Sequence, residues 1–510
     1  MPRPQKMVIV GAGPVGSLAA LYAAQRGYIV EVYELRPDLR DPRIVPLNFT
    51  KSINLALSER GINAMRHAGQ PELLQGILGA CTPMRGRMIH GKKSSGALYE
   101  LPQDFDAHGR CNLAIDRGAL NARLLDALED LPNVELFFNH KLTGADFRTC
   151  KAWIEDRDRL SPSGRPREME IDFDIMLGAD GAHSAVRYHM MKFSRMDYQQ
   201  EYIDTLWCEF RLDPGNIQAD GTGTWQISPN HLHIWPVKDF MFIAIPSEKD
   251  GSFTCTLFMP AGHFATLEAD PSQVPNFFDV NFPGVRDYIS DASLIDSFNT
   301  NPHLPLISLK CKPYHFGSSG VIIGDAAHAM VPFYGQGMNT GMEDVRILFS
   351  ILDKHAELAQ TDNKPGEDEY EEVASPAEAA AAQQRAQALA EYSATRWVDA
   401  HAINDLAFEN YIEMRTTQSR RYQLRKTIEE FMYLHFPSFG WRTKYTRVVF
   451  SNQPYAECMR QTDLQGRALM RFVTGMVTTP FVAAGIYLAY SYRRPFKELW
   501  ANVWAIWQMM

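Results

Sequence analysis

The feature that most restricts the fold is a glycine-rich turn, Gly11-Ala12-Gly13-Pro14-Val15-Gly16. It follows a short apolar run, Met7-Val8-Ile9-Val10, and precedes a helical stretch from Ser17 to Arg26. The next apolar run, Tyr28 to Glu34, ends on an acid 18 residues beyond Gly16. Strand, glycine turn, helix and strand in this order predict a βαβ unit and an α/β domain built on a parallel sheet. The glycines let backbone N–H groups approach a diphosphate, and the helix N-terminus favours its negative charge. A carboxylate at the end of the second strand is spaced to bond ribose hydroxyls. A glycine turn alone is a common loop. With Glu34 in place the pattern points to a dinucleotide, without choosing which one.

Further along, Asn133 to Phe138, Ile171 to Leu177 and Val321 to Ile323 read as strands by their β-branched and aromatic content. Between about 205 and 300 the texture changes. Thr224 to Val237 alternates, and Phe240 to Ile245 and Phe253 to Met259 are joined through Asp250-Gly251, a hairpin signal. After residue 376 the pattern is helical to about 435. The predicted organisation is a discontinuous nucleotide-binding domain (1–204 and 300–360) with an inserted antiparallel β-sheet (205–299). An acidic low-complexity insert (361–390), a helical region (391–468) and a hydrophobic tail (469–510) follow. A length of 510 residues suits two to four domains.

Composition narrows the classes. With 45% hydrophobic and 22% charged residues the bulk is that of a soluble globular protein. A net charge of −9 argues against general nucleic-acid binding, which needs a basic face. The insert holds seven acids and two bases, so it supplies −5 of that charge and reads as a solvated loop and surface helix. The seven cysteines are scattered with no CxxC pair, which predicts free thiols and no metal site. His231 and His233 alternate on one strand face but have no third ligand nearby and read as sheet residues. The first six residues leave no room for a secretory or amphipathic leader before the strand at Met7. By contrast, the 21 residues from Phe472 to Tyr492 carry no charged side chain, enough for roughly the ~30 Å hydrocarbon layer. Trp500, Trp504 and Trp507 follow, the residue type that favours a membrane interface. A membrane anchor is the favoured reading of this tail, and a buried helix the alternative.

Two more segments carry chemistry: Gly178-Ala179-Asp180-Gly181-Ala182-His183-Ser184-Ala185-Val186-Arg187, and Gly324-Asp325-Ala326-Ala327-His328 followed by Pro332-Phe333-Tyr334-Gly335-Gln336-Gly337-Met338-Asn339. Each puts a carboxylate and free N–H groups at a strand end. With the first turn, in this order and spacing, they resemble the class A FAD-dependent aromatic hydroxylases. Within that class Lys51 to Ser58, Met84 to His90, Asn410 to Arg415 and Lys444 to Thr446 are similar to segments of the kynurenine 3-monooxygenase family. The resemblance covers most of 7–350 and 396–450 and departs at the 361–390 insert.

The resemblance implies a Rossmann-like FAD-binding domain (GR2 type) with an inserted β-sheet substrate domain. It implies FAD as cofactor and NADPH and O2 as co-substrates, without a second nucleotide domain. L-kynurenine would be hydroxylated to 3-hydroxykynurenine through a flavin C4a-hydroperoxide, at the mitochondrial outer membrane with the catalytic part facing the cytosol. The residues that would hold FAD are Gly11, Gly13, Val15, Gly16, Glu34, Arg36, Ala56, Arg117, Leu142, Asp180, Asp325, Met338 and Asn339, with Val15 and Leu142 as backbone contacts. Substrate would be held by Arg87, Tyr99, Asn410 and Tyr445. Two arginines at 85 and 87 share a strand face, and a guanidinium fork matches a carboxylate; the resemblance selects Arg87. Phe333, Tyr334 and Gln336 would position the aromatic ring beside the flavin. An aniline is already electron-rich, so no side-chain base is expected to be essential, and no catalytic residue is assigned beyond these positioning roles. The rivals are a flavin monooxygenase acting on another aromatic or a lipid ring, and a non-catalytic carrier with the same fold.

Overall fold

The computed structural model describes residues 3–41, 43, 55–162, 164–216, 223–247, 250–362, 376–416, 420–436 and 440–508. Residues 51–54 and 363–375, which hold the acidic run of the insert, thus lie outside the described residues. Two compact units are present, Met1–Ala456 and Glu457–Met510.

The expected βαβ unit opens the larger unit. The strand Lys6–Val10 leads through the glycine turn into the helix Pro14–Gln25, which starts on a proline whose missing N–H costs nothing at a first-turn position. This helix is buried along most of its length because small residues, Ala19, Ala20, Ala23 and Ala24, let it lie close on the sheet. The sheet runs His315–Phe316, Gly320–Ile322, Ile175–Gly178, Lys6–Val10, Ile29–Tyr33, Val134–Phe137, parallel throughout except at its first, antiparallel strand. Its central register pairs Val10 with Gly178 and Gly178 with Ile322. The three glycine-containing motifs therefore leave the same carboxyl edge of three adjacent strands, where open α/β sheets bind their ligands.

The run from Ile171 to Leu177 is two strands, not one. Pro166–Asp172 pairs antiparallel with Lys151–Leu160 in a three-stranded sheet, and Ile175–Gly178 belongs to the parallel sheet. The break falls at Phe173-Asp174, where the Asp174 carboxylate accepts from the Lys6 N–H. β-Content on both sides of the break hid it from the sequence pattern.

The second large sheet has seven strands: Leu304–Lys312, Asp197–Leu212, Phe253–Met259, Met241–Pro246, His231–Pro236, Gly86–Lys92, Leu98–Asp104. The hairpin through Asp250-Gly251 is present as expected. The sheet's reach is wider than 205–299. It takes three strands from the segments assigned to the nucleotide-binding domain, because His231–Ile234 pairs parallel with Gly86–Ile89 and Asp197–Leu212 pairs antiparallel with Leu304–Lys312. Such non-local pairing leaves no trace in local periodicity. Its core is aromatic: Phe210, Phe242, Phe278 and Phe282 pack at centroid distances of 5.2–5.9 Å. The helices Gly337–Asp362, Pro376–Thr416 and Arg420–His435 complete this unit's α-helical part.

The smaller unit is the greater part of one long helix, Tyr455–Gln508. Within its stretch to Ser491 an 18-residue window has a mean hydropathy of 1.6, and the helix is long and apolar enough to cross a membrane. Large apolar side chains on it, among them Phe481, Ile486 and Trp507, are exposed.

Candidate functional site

A cavity of about 390 Å³ runs from the glycine turn to the second sheet. At one end it is walled by Gly13, Val15, Arg36, Ala56, Arg117, Ala179, Gly181, Gly324 and Asp325, with Gly337 and Met338 from the start of a long helix. The turn fits its role by what it lacks. Gly11 has φ +101°, and a Cβ there would lie 2.5 Å from the Ala179 carbonyl oxygen. A side chain on Gly16 would run into the Gly11 carbonyl, whereas the space beside Gly13 is open. Gly11 and Gly16 thus close the turn, and Gly13 faces the cavity.

Glu34 fastens this turn. Its Oε2 accepts from the Ala12 N–H at 2.8 Å and its Oε1 from the Arg36 N–H at 3.0 Å. Asp116 caps the helix Arg117–Glu129 by accepting from the Ala119 N–H, which brings Arg117 to the first helical turn and onto the cavity wall. Arg117 and Asp325 lie deep in the molecule yet keep accessible surface toward the cavity. Burial raises the Asp325 carboxyl pKa, against which the Arg117 charge acts. Asp180 stands one step back: its Oδ2 accepts from the Val186 N–H at 3.1 Å and its buried Oδ1 has no partner. Arg187 bonds the carbonyls of Ala326 and Ala182 and so ties the second motif to the third.

At the other end the walls are Met84, Phe105, Leu232, Ile243, Ile245, Phe258, Phe333, Tyr334, Met414 and Tyr445, an apolar and aromatic chamber. Into it comes Arg87, 8% exposed. Its guanidinium lies 5.4 Å from the Tyr445 ring centroid and 5.8 Å from that of Phe105. Its Nε has no hydrogen-bond partner, and among the described residues it has no carboxylate partner. A buried cation without a counter-ion is costly, and an anionic ligand relieves that cost. Phe105 and Tyr445 stack at 4.8 Å, and Asn112 Nδ2 donates to the Tyr445 hydroxyl at 2.9 Å. Burial pushes the Tyr445 hydroxyl up to about 12, so it stays a neutral donor. The Asn112 Oδ1 is buried without a partner. A smaller chamber of about 130 Å³ shares Arg87, Phe105, Tyr334 and Tyr445 and adds Asn410.

Other expected site residues do not line the larger chamber. Tyr99 pairs with Gly91, four residues along the ladder from the Arg87–Gln103 pair, or roughly 13 Å at the strand rise. It packs over Gly91 and does not line either chamber. Leu142 pairs with Ile154 in the three-stranded sheet and is core. Asn339 is fully buried and spends its amide on the Ser58 N–H and on the Ala56 and Gly335 carbonyls, fastening two cavity walls to each other. Gln336 accepts from Ser58 and Tyr455 and leaves its Nε2 buried without a partner. Asn410 donates to the Phe333 carbonyl at 2.7 Å and holds the aromatic loop. Of the two histidines read as sheet residues, His233 accepts from His90 Nε2 at 2.7 Å and donates to the Ser228 carbonyl, on the sheet face away from Arg87. No cluster of metal-ligating residues occurs among the described residues.

Sequence reading missed a buried charge network. Glu343 bridges Arg60 at 2.7 Å and Arg396 at 3.0 Å; Asp344 bridges Arg396 at 2.6 Å, His328 at 2.6 Å and the Gly324 N–H at 2.8 Å. Its signal was present, since two adjacent acids in the apolar helix Gly337–Asp362 need partners.

These features define a flavin-nucleotide class of doubly wound protein carrying a second sheet with an anion-seeking aromatic chamber. The family described as FAD binding domain matches residues 5–385. Kynurenine 3-monooxygenase of Neurospora crassa is 61% identical over 96% of this chain and 94% of its own length. The enzymes of the same name from Chaetomium globosum and Aspergillus clavatus are 61% and 57% identical over 92% and 95% of the chain. Among solved structures, 2-methyl-3-hydroxypyridine-5-carboxylic acid oxygenase matches with a TM-score of 0.56 at 17% identity, covering 81% of this chain and 94% of its own. The p-nitrophenol 4-monooxygenase PnpA from Pseudomonas putida matches with a TM-score of 0.56 at 18% identity, covering 85% and 94%; these two likenesses concern the fold. The chain belongs to the kynurenine 3-monooxygenase family, within the FAD binding domain proteins.

Proposed function

We propose that this chain is an NADPH- and FAD-dependent monooxygenase that hydroxylates L-kynurenine to 3-hydroxykynurenine. The observation that carries the reading is Arg87: a buried guanidinium with no carboxylate partner among the described residues, on the wall of an aromatic chamber continuous with a nucleotide-binding edge. L-kynurenine presents a carboxylate at one end and an aminophenyl ring at the other. The carboxylate would form charge-assisted bonds to Arg87. The Tyr445 hydroxyl and the Asn112 carbonyl oxygen offer a donor and an acceptor beside it. The ring would lie among Phe258, Phe333, Ile243 and Leu232, where water is excluded.

The residues present fit FAD. Gly13 and Val15, with the N-terminal turn at Gly337 and Met338, face the cavity with free backbone and helix-end charge suited to a diphosphate and a flavin edge. Glu34, Arg36, Ala56, Arg117 and Asp325 flank the same end, with Asp180 behind it. Bound FAD supplies the redox chemistry with oxygen, and the chain orients the ring against it and keeps water out. Among the described residues lining the larger cavity, Asp325 is the one carboxylate, and it stands at the nucleotide end. At its substrate end the larger cavity is therefore lined by positioning groups and no carboxylate, which suits a ring activated by its own amino group. The tail helix would anchor the chain in the mitochondrial outer membrane, catalytic part toward the cytosol. The family and the length of the apolar helix support this.

The test is NADPH consumption by the purified, full-length, FAD-loaded protein with and without L-kynurenine, with the product identified by mass. Stimulated consumption and a product heavier by one oxygen are expected. A protein that stays colourless when supplied with FAD, or that oxidises NADPH without regard to kynurenine, would overturn the reading.

A further inference from the structure

The segment that brings Tyr445 to the cavity is held in place from far away in sequence. It comprises the short helix Lys444–Val449 and the chain up to Tyr455. Arg60 reaches it from the helix Glu59–Arg66, which begins three residues after the cavity-wall residue Ala56. The Arg60 side chain is fully buried. Its Nε donates to the Val448 carbonyl at 3.2 Å, and its Nη2 donates to the Gln453 carbonyl. Its Nη1 pairs with Glu343 at 2.7 Å, and its guanidinium lies 3.6 Å from the Tyr455 ring centroid. The Tyr455 hydroxyl in turn contacts Thr340 at 2.9 Å and Gln336 at 3.2 Å. One planar fork therefore joins a carboxylate, two carbonyls and an aromatic face. Only arginine has donors in that arrangement; a lysine ammonium is a point charge on a flexible stem.

A second fastening lies on the other side. Thr446 donates to Asp106 at 3.0 Å, and Arg110, paired with Asp106 at 2.8 Å, donates to the Phe450 carbonyl at 3.1 Å. That one is partly open to solvent, since the Arg110 side chain is 40% exposed. The Arg60 side is dry, and so electrostatically the stronger.

We propose that Arg60 is a positioning residue for substrate binding: it clamps segment 444–455 against the cofactor-edge helix so that Tyr445 forms the wall beside Arg87. The proposal rests on the reading that substrate binds at the Arg87–Tyr445 end. It predicts an effect on substrate affinity through a residue absent from both chambers.

The test is Arg60→Lys in the full-length, FAD-loaded protein, read in two ways. Equilibrium dialysis of L-kynurenine without NADPH should show Kd raised about tenfold, equivalent to about 1.4 kcal/mol. Brief trypsin treatment should cut faster after Arg442, Lys444 or Arg447, while cleavage elsewhere and FAD content hold. A merely structural role would move all cleavage sites together and release FAD. Arg60→Lys protein with wild-type Kd and wild-type cleavage in 442–447 overturns the clamp. If Arg60→Lys does not fold, Tyr455→Leu, which removes the ring under the guanidinium and leaves the ion pairs, is expected to give the same two signatures; wild-type values there overturn it equally. Tyr445→Ala separates this claim from the one beneath it. Unaltered kynurenine affinity in that variant overturns the substrate placement, whereas the clamp is still decided by the cleavage rate.

Discussion

The two ends of the cavity are built by different means. The nucleotide end is made largely of backbone: three glycine-containing turns at the carboxyl edge of three neighbouring parallel strands, with short-range fastenings such as Glu34 to Ala12. The end proposed for substrate is made of side chains from segments far apart, Arg87 and Phe105 from one, Phe258 from another, Phe333 and Tyr334 from a third, Tyr445 from a fourth. Backbone recognition tolerates little change in shape, because the atoms that bind also define the chain's path. Side-chain recognition can lose one group and keep the rest. The ends should therefore fail differently when altered.

The largest effect is expected at the nucleotide end. Gly16→Val places a side chain against the Gly11 carbonyl and should abolish FAD binding, giving a colourless protein. A yellow Gly16→Val protein with wild-type flavin content would break the contrast. Next is Arg87→Ala. If its partner is a desolvated carboxylate, substrate affinity should fall by about 2–5 kcal/mol with flavin content unchanged, read by the Kd for L-kynurenine. Loss of flavin together with substrate would show that the ends are not separable.

A further effect sharpens the comparison through pH. His90 and His233 share a buried hydrogen bond on the sheet that carries Arg87, and burial holds their pKa values down to about 3 and about 4. In the unfolded chain both titrate near 6.5. As pH falls below that, the unfolded state binds protons that the native state does not, so stability is lost from about pH 6.5 downward. By pH 4.5 the loss should be about 5 kcal/mol for the two groups together, measured by urea unfolding at pH 7 and pH 4.5. His233→Gln should flatten that dependence. An unchanged acid slope would mean that the pair does not set the sheet's acid limit.

Much of the nucleotide end was legible in the residues themselves. Gly11, Gly13, Gly16 and Glu34 lie within 24 residues of each other, and their geometry is local. The hairpin through Asp250-Gly251 was legible for the same reason. Less was legible at the substrate end. Tyr99 shares a strand pair with the Arg87 segment, yet the ladder register carries it away from the chamber. Asn410 and Asn339 carry side chains that suit a ligand, but their amide N–H groups go to protein carbonyls, and Asn410 lines only the smaller chamber. Asn112 and Arg60 gave no local sign of their places.

By itself the sequence determined the parallel βαβ start, the edge where the nucleotide motifs gather, the antiparallel hairpin and a terminal helix long enough for a membrane. These depend on neighbours a few residues apart, through periodicity, turn chemistry and helix length. Only the tertiary structure decided that Gly86–Lys92 joins the second sheet, that Arg87 has no counter-ion among the described residues, and that Arg60 bonds the segment bearing Tyr445. Those outcomes depend on which distant segments share the same dry volume, and the free energy of a buried charge is set by that company and not by its own place in the chain.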